Sequence, residues 1–180
     1  MSKINKKIVR LTGKDLKRAA TVGMGREDAK TVAGWMPKNE EDLGNKIYKY
    51  IREPKHRSHF LGLLGELAYA KFVGGEINEE IYFNRGDDGR GDVGSAEVKA
   101  STWKGEDIEL KVTQREYNNK ERPEKYVLVR VSERTPSMVE MVGEVSAERF
   151  EAEKRVKQYR PGYPVNYIMG ADDLDEVACA

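Results

Sequence analysis

Beyond residue 80 the chain reads as one strand after another, and that run limits the fold more than any other feature. Ile81-Tyr82-Phe83 is short and apolar, and Ile108-Glu109-Leu110-Lys111-Val112 alternates with the two-residue period of a half-buried strand. Tyr126 to Val131 is almost wholly apolar, as a central strand covered on both faces must be, and Val139 to Val145 alternates again. Ahead of the run, Phe60, Leu63, Leu64, Leu67, Ala68, Ala70 and Phe72 recur near a period of 3.6, which predicts a helix over 58–73 ended by Gly74-Gly75. Behind it, Ser146 opens a second helix that is expected to reach about Lys157, with Arg149 standing where a capping box places Glu or Gln. Helices gathered on either side of four or five strands predict an α/β (α+β) fold.

The first third reads differently. Ile8 to Leu11 suggests a short strand, Thr12 an N-cap, and Asp15 the acid that suits the first turn of a helix. That helix is expected over about 13–22, interrupted at Gly23-Met24-Gly25, with a second helical piece over about 26–34 and a loop at 35–42. Residues 1–60 hold 15 Lys and Arg against 7 Asp and Glu, whereas residues 61–180 hold 17 against 24. A net charge of only +1 therefore conceals a basic first third and an acidic remainder. This asymmetry predicts an anionic partner for the former and a cation site in the latter. Candidate phosphate contacts are Lys14, Lys17, Arg18, Arg26, His56 and Arg57. The expected division is a basic, mainly helical N-terminal extension over 1–55 and a core with its C-terminal helix and tail over 56–180. Residues 159–167 are expected to form a Tyr-, Pro- and Gly-rich loop, with Leu174 anchoring the acidic tail.

A single cysteine, Cys179, leaves no disulfide framework and fits a reducing cytoplasm. No run of 18 apolar residues predicts a membrane span, and the first residues lack the apolar stretch of a secretory signal. His56 and His59 lie three apart, but no third ligand at suitable spacing accompanies them.

The chemistry is concentrated in Gly91-Asp92-Val93-Gly94-Ser95-Ala96-Glu97-Val98-Lys99. Gly94-Ser95 suits the two-residue loop of a hairpin with a type II′ turn, which would pair Val93 with Ala96 and Asp92 with Glu97. Lys99 then shares the face of Glu97, and Val98 points the other way. Two opposed carboxylates repel, so the pair calls for a cation. Glu66 lies in the most apolar helix of the chain, beside Gly65, whose cost of about 1 kcal/mol in a helix interior suggests a close backbone approach. A buried carboxylate there must be paired or hold a metal. Oxygen ligands of this kind suit Mg²⁺.

Asp92, a short gap and Glu97-Val98-Lys99 resemble the PD-(D/E)XK nuclease superfamily, as do the preceding Gly65-Glu66-Leu67-Ala68 helix and the small polar pair Ser101-Thr102. The chain is also similar to phage-encoded proteins with such a core, through Val9-Arg10-Leu11-Thr12, Val22-Gly23 to Arg26, Gly91-Asp92-Val93-Gly94 and Val142-Gly143. The resemblance implies a restriction-endonuclease-like core with a mixed four- or five-stranded sheet flanked by helices. It implies Mg²⁺ or Mn²⁺ on Asp92, Glu97 and the Val98 carbonyl, Lys99 as catalytic lysine and Glu66 as accessory acid. The implied activity is hydrolysis of DNA phosphodiesters, with endonuclease the expected mode, in DNA processing, recombination or degradation in a host cytoplasm. It also allows a homodimer. Gly91 stands where the motif has Pro, and Asp88 is an alternative to Asp92. Gln114-Arg115-Glu116-Tyr117 is similar to the glutamine–tyrosine element of some exonuclease branches, one residue short. Two other readings stay open: a non-catalytic nucleic-acid-binding protein on the same fold, and a structural or host-interaction protein.

Overall fold

A computed structural model describes residues 7–27, 45, 49, 52–78 and 91–179. Among them, β1 (Lys7–Arg10) leads into α1 (Gly13–Glu27), and α2 (Pro54–Val73) precedes β2 (Ala96–Ser101), β3 (Glu109–Thr113) and α3 (Gln114–Asn119). There follow β4 (Lys125–Val131), β5 (Met138–Ser146), α4 (Ala147–Glu153), β6 (Arg155–Lys157), β7 (Asn166–Gly170) and a 3₁₀ turn, Ala171–Asp173. The fold is mixed α/β, with two sheets instead of the single sheet expected. One has the order β1-β5-β4-β2, antiparallel except for the parallel β4/β2 pair. The other is antiparallel, in the order β3-β7-β6.

Alternation along the strands sorts the side chains into two cores. Val98, Val127, Val129, Val131, Val139 and Met141 face the helices and meet Leu63, Leu64, Leu67, Ala19 and Ala20. Tyr126, Leu128 and Val145 face the other way and meet Leu110, Val112, Phe150 and Met169 beneath the small sheet. The four-stranded sheet is therefore covered on both sides, and β4 carries apolar residues on both faces.

Helix α2 starts four residues earlier than expected. Pro54 takes the first-turn position, where its missing N–H would have no partner in any case, and Gly74 closes the helix in the left-handed conformation with φ 69°. Helix α1 continues through Gly23-Met24-Gly25, because Met24 is buried in the core and its packing outweighs the glycine penalty. At its start, Thr12 and Asp15 form a reciprocal cap: Thr12 N donates to Asp15 Oδ2 at 2.7 Å and Asp15 N to Thr12 Oγ1 at 3.3 Å.

Residues 7–27 do not behave as an extension. β1 pairs with β5, and Leu11, Ala19, Ala20 and Met24 belong to the same core as α2. The helix expected to run to Lys157 ends at Glu153 with Lys154 as its C-cap, and Arg155–Lys157 pair with β7 in an edge strand. The latter half of the expected 159–167 loop leads into β7, a strand missing from the sequence reading. The second helical piece, apart from Arg26 and Glu27 in α1, and the 35–42 loop, the 81–83 strand and Asp88 lie outside the described residues.

Candidate metal and phosphodiester site

The hairpin forms at the expected turn. Val93 and Ala96 exchange both backbone hydrogen bonds, Val93 N to Ala96 O at 3.2 Å and Ala96 N to Val93 O at 3.0 Å. Gly94 has φ 59° while Ser95 is not left-handed, which is the pattern of a type II′ turn. The ladder stops there, one pair short of the predicted Asp92–Glu97 pairing. Val93 also bridges Ile77, and Asp92 turns its carboxylate along the open edge of β2, where Oδ2 accepts from Val98 N at 2.8 Å. The N–H and C=O of a strand residue point to the same side, so the Val98 carbonyl also faces this edge and not β4.

Glu66 reaches the site from the other layer. It is buried, with 7% exposure, on the part of α2 that packs against β2. Gly65 makes that approach possible, since a Cβ at this position would lie 2.7 Å from Val129 Cγ2 and 3.2 Å from Ala100 Cβ. The close approach anticipated from the sequence is thus to the sheet itself.

Burial and the neighbouring acids act on Asp92. Burial pushes the Asp92 carboxyl up to about 8, with the negative charges of Glu97 and then Glu66 adding to it and Lys99 opposing. Glu97 and Lys99 lie on the opposite face of β2 from Val98 and Ala100, as the two-residue period requires. Lys99 Nζ donates to Glu97 Oε1 at 2.7 Å and to Glu116 Oε1 at 2.5 Å. Burial disfavours the Lys99 ammonium, but the Glu97 and Glu116 charges overcome this and raise its pKa. Lys120 completes the cluster, 3.4 Å from Glu97 Oε1 and 3.3 Å from Glu116 Oε1. Burial alone would raise Glu116, yet Lys99 and then Lys120 hold it down at about 2.

Glu116 is the residue that sequence reasoning missed. It lies on α3, which springs directly from β3, and its amide is capped by Thr113 Oγ1 at 3.1 Å. The only signal was its place inside the Gln114–Tyr117 element. A groove of about 670 Å³ brings Glu116 and Thr113 opposite Ser58, His59, Gly62 and Glu66 of α2, with Ala100 between them.

Other predicted contacts are dispersed. Lys14, Lys17 and Arg18 are exposed on α1, while the Arg26 side chain lies outside the described residues. His56 sits 2.9 Å from Glu53 and Arg57 3.7 Å from Glu133, so both engage acids away from Asp92 and Glu97. His59, not His56, lines the groove.

The donor set of Asp92, Glu97, Glu66 and the Val98 carbonyl is all oxygen, the choice of a hard cation such as Mg²⁺ or Mn²⁺. A carboxyl raised to about 8 by burial and by its acidic neighbours fits a site that a cation would complete. Among the described residues, no three His, Cys, Asp or Glu side chains are already drawn together as metal ligands. None of their helices is long and apolar enough to cross a membrane. Comparison with protein-family models, with characterised proteins and with solved structures returned no match.

Proposed function

We propose that this chain is a metal-dependent nuclease that hydrolyses DNA phosphodiesters with Mg²⁺ or Mn²⁺, on a restriction-endonuclease-like core. The observation that supports it best is the Asp92 carboxyl, pushed up to about 8 by burial and by Glu97 and Glu66, beside a lysine held charged. Asp92, Glu97 and the Val98 carbonyl would hold the cation, with Glu66 as accessory acid from α2. When bound, the cation would polarise a phosphoryl oxygen and acidify a water. Lys99 has a narrower role than a general base. Its two carboxylate partners keep it an ammonium, so it stabilises negative charge developing on the phosphoryl oxygens or orients the attacking water. The exposed cations of α1 supply sequence-independent attraction to the DNA backbone, which weakens as salt rises.

Incubation with linear, circular and branched DNA, with and without Mg²⁺ or Mn²⁺, tests the reading. Cleavage is expected only with the cation, and Lys99→Ala or Asp92→Asn is expected to abolish it while leaving the circular dichroism spectrum unchanged. Full activity in both variants refutes the site. Salt-sensitive DNA binding without cleavage under any cation establishes the non-catalytic nucleic-acid-binding alternative.

A further inference from the structure

We infer that Glu116 is a positioning residue that keeps the Lys99 ammonium in the site when Glu97 turns to a divalent cation. The inference rests on the metal-dependent reading above and concerns a residue outside the Asp92–Glu97–Lys99 motif.

Four charged groups meet behind β2: Glu97 and Glu116 each form ion pairs with both Lys99 and Lys120. Two acids and two ammonium groups balance. Lys99 is the more enclosed cation, with side-chain exposure of 19% against 42% for Lys120. An ammonium so enclosed needs a carboxylate partner, because desolvation of an unpaired charge is expensive. Glu97 is claimed twice, as a partner of Lys99 and as a ligand of the proposed cation. A divalent ion adjacent to a carboxylate outcompetes a monovalent ammonium at the same oxygen. Lys99 then depends on Glu116.

Glu116 is placed to be that partner. Its backbone is fixed by the Thr113 cap and by the antiparallel pairing of β3 with β7, so it belongs to the small sheet and not to β2. A change at Glu97 therefore need not move it. Without Glu116, Lys99 would lose its last carboxylate partner once the cation takes Glu97, and its ammonium would leave the site.

The test follows Lys99 itself, by the rate at which an amine-reactive ester modifies it, read by peptide mass spectrometry with and without Mn²⁺. The parent protein is expected to label slowly in both states. Glu116→Gln is expected to label slowly without Mn²⁺, when Glu97 still holds the lysine, and about ten times faster with it. Glu116→Asp, which keeps the charge, is expected to stay close to the parent. Glu121→Gln removes an equal charge nearby without touching Lys99 and is the control for the general field. In the cleavage assay, Glu116→Gln is expected to lower kcat by about 10- to 100-fold, the usual range for a group that orients a functional residue, with KM for DNA little changed. Labelling of Glu116→Gln at the parent rate in Mn²⁺ overturns the inference, and so does equal acceleration in Glu121→Gln. A parent protein that cleaves no DNA but shows the Mn²⁺-dependent exposure in Glu116→Gln refutes the nuclease reading and upholds the role of Glu116.

Discussion

Replacing Asp92 with Asn should make the metal-free protein more stable at pH 8, not less. Asp92 has an ordinary carboxyl value of 3.8 and is pushed up to about 8 by burial, Glu97 and Glu66. A carboxyl raised in the folded state keeps its proton where the unfolded chain has released it. Its stabilising contribution is complete below pH 3.8 and is lost as pH climbs through about 8. Each pH unit in that window is worth about 1.4 kcal/mol, so the full slope between pH 5 and pH 8 is on the order of 4 kcal/mol. Asp15, Asp107, Glu109 and Glu116 are all lowered. Their contributions are lost only in more acid solution and do not mask the slope. Asn removes the titration and retains an oxygen to accept from Val98 N, now at 2.8 Å from Asp92. Urea unfolding followed by circular dichroism at half-unit steps from pH 5 to 8 measures this. The parent is expected to lose stability steadily and the variant to stay level. Mg²⁺ at 100 times its dissociation constant should return about 2.7 kcal/mol to the parent at pH 8 and little to the variant. Parallel curves for the two proteins across this range would refute the argument, since the buried acid would then carry no uncompensated charge.

Gly65→Ala sets about 1 kcal/mol of helix propensity against overpacking of about 1–3 kcal/mol where the new Cβ meets Val129, giving a net loss of about 1 kcal/mol. Thermal melts of the single variants and of Gly65→Ala/Val129→Ala should show non-additivity of about 1 kcal/mol, because the second truncation opens the space that the first needs. Gly91→Ala places a Cβ 2.6 Å from the Ala96 carbonyl oxygen, a backbone atom held by the hairpin. Denaturant unfolding should report a loss of at least about 2 kcal/mol, and hydrogen exchange should show a less protected Val98 amide. Phe150 is fully buried between Tyr117 and Tyr126, and Phe150→Ala should cost about 3–5 kcal/mol in the same unfolding assay.

What could be read in the sequence was local. The period of Phe60 to Phe72 and the glycine at 74 specify α2 without reference to the rest of the chain, and Gly94-Ser95 specifies its turn. The strands of the large sheet were legible because their alternation records burial on one or both faces. Features set by distant partners were not legible. Tyr167, Ile168 and Met169 form a strand because β3 offers an edge to pair with, and that edge exists only once the chain has left the first sheet. Val156 is 68% exposed and has no alternating core contact to announce β6. Glu116 meets Lys99 because α3 starts at the end of β3, and nothing within Gln114–Tyr117 reveals a lysine 17 residues earlier.

The two shifted acids divide the site. Asp92 has acids as its principal charged neighbours and is driven up to about 8; Glu116 has Lys99 and Lys120 and is driven down to about 2. Glu97 stands between them, raising Asp92 from one side while accepting from Lys99 and Lys120 on the other. Burial alone would raise both Asp92 and Glu116, so their opposite directions come from the neighbours. One end of the β2 edge therefore has more negative charge than it can ionise, and the other already carries its counter-ions. On the proposed reading, a divalent cation would lower the free energy only at the first end, beside Asp92 and Glu66. At the second end it would have to displace Lys99 and Lys120. The same asymmetry would place a bound cation on the Asp92 side, with the ammonium of Lys99 facing it across Glu97.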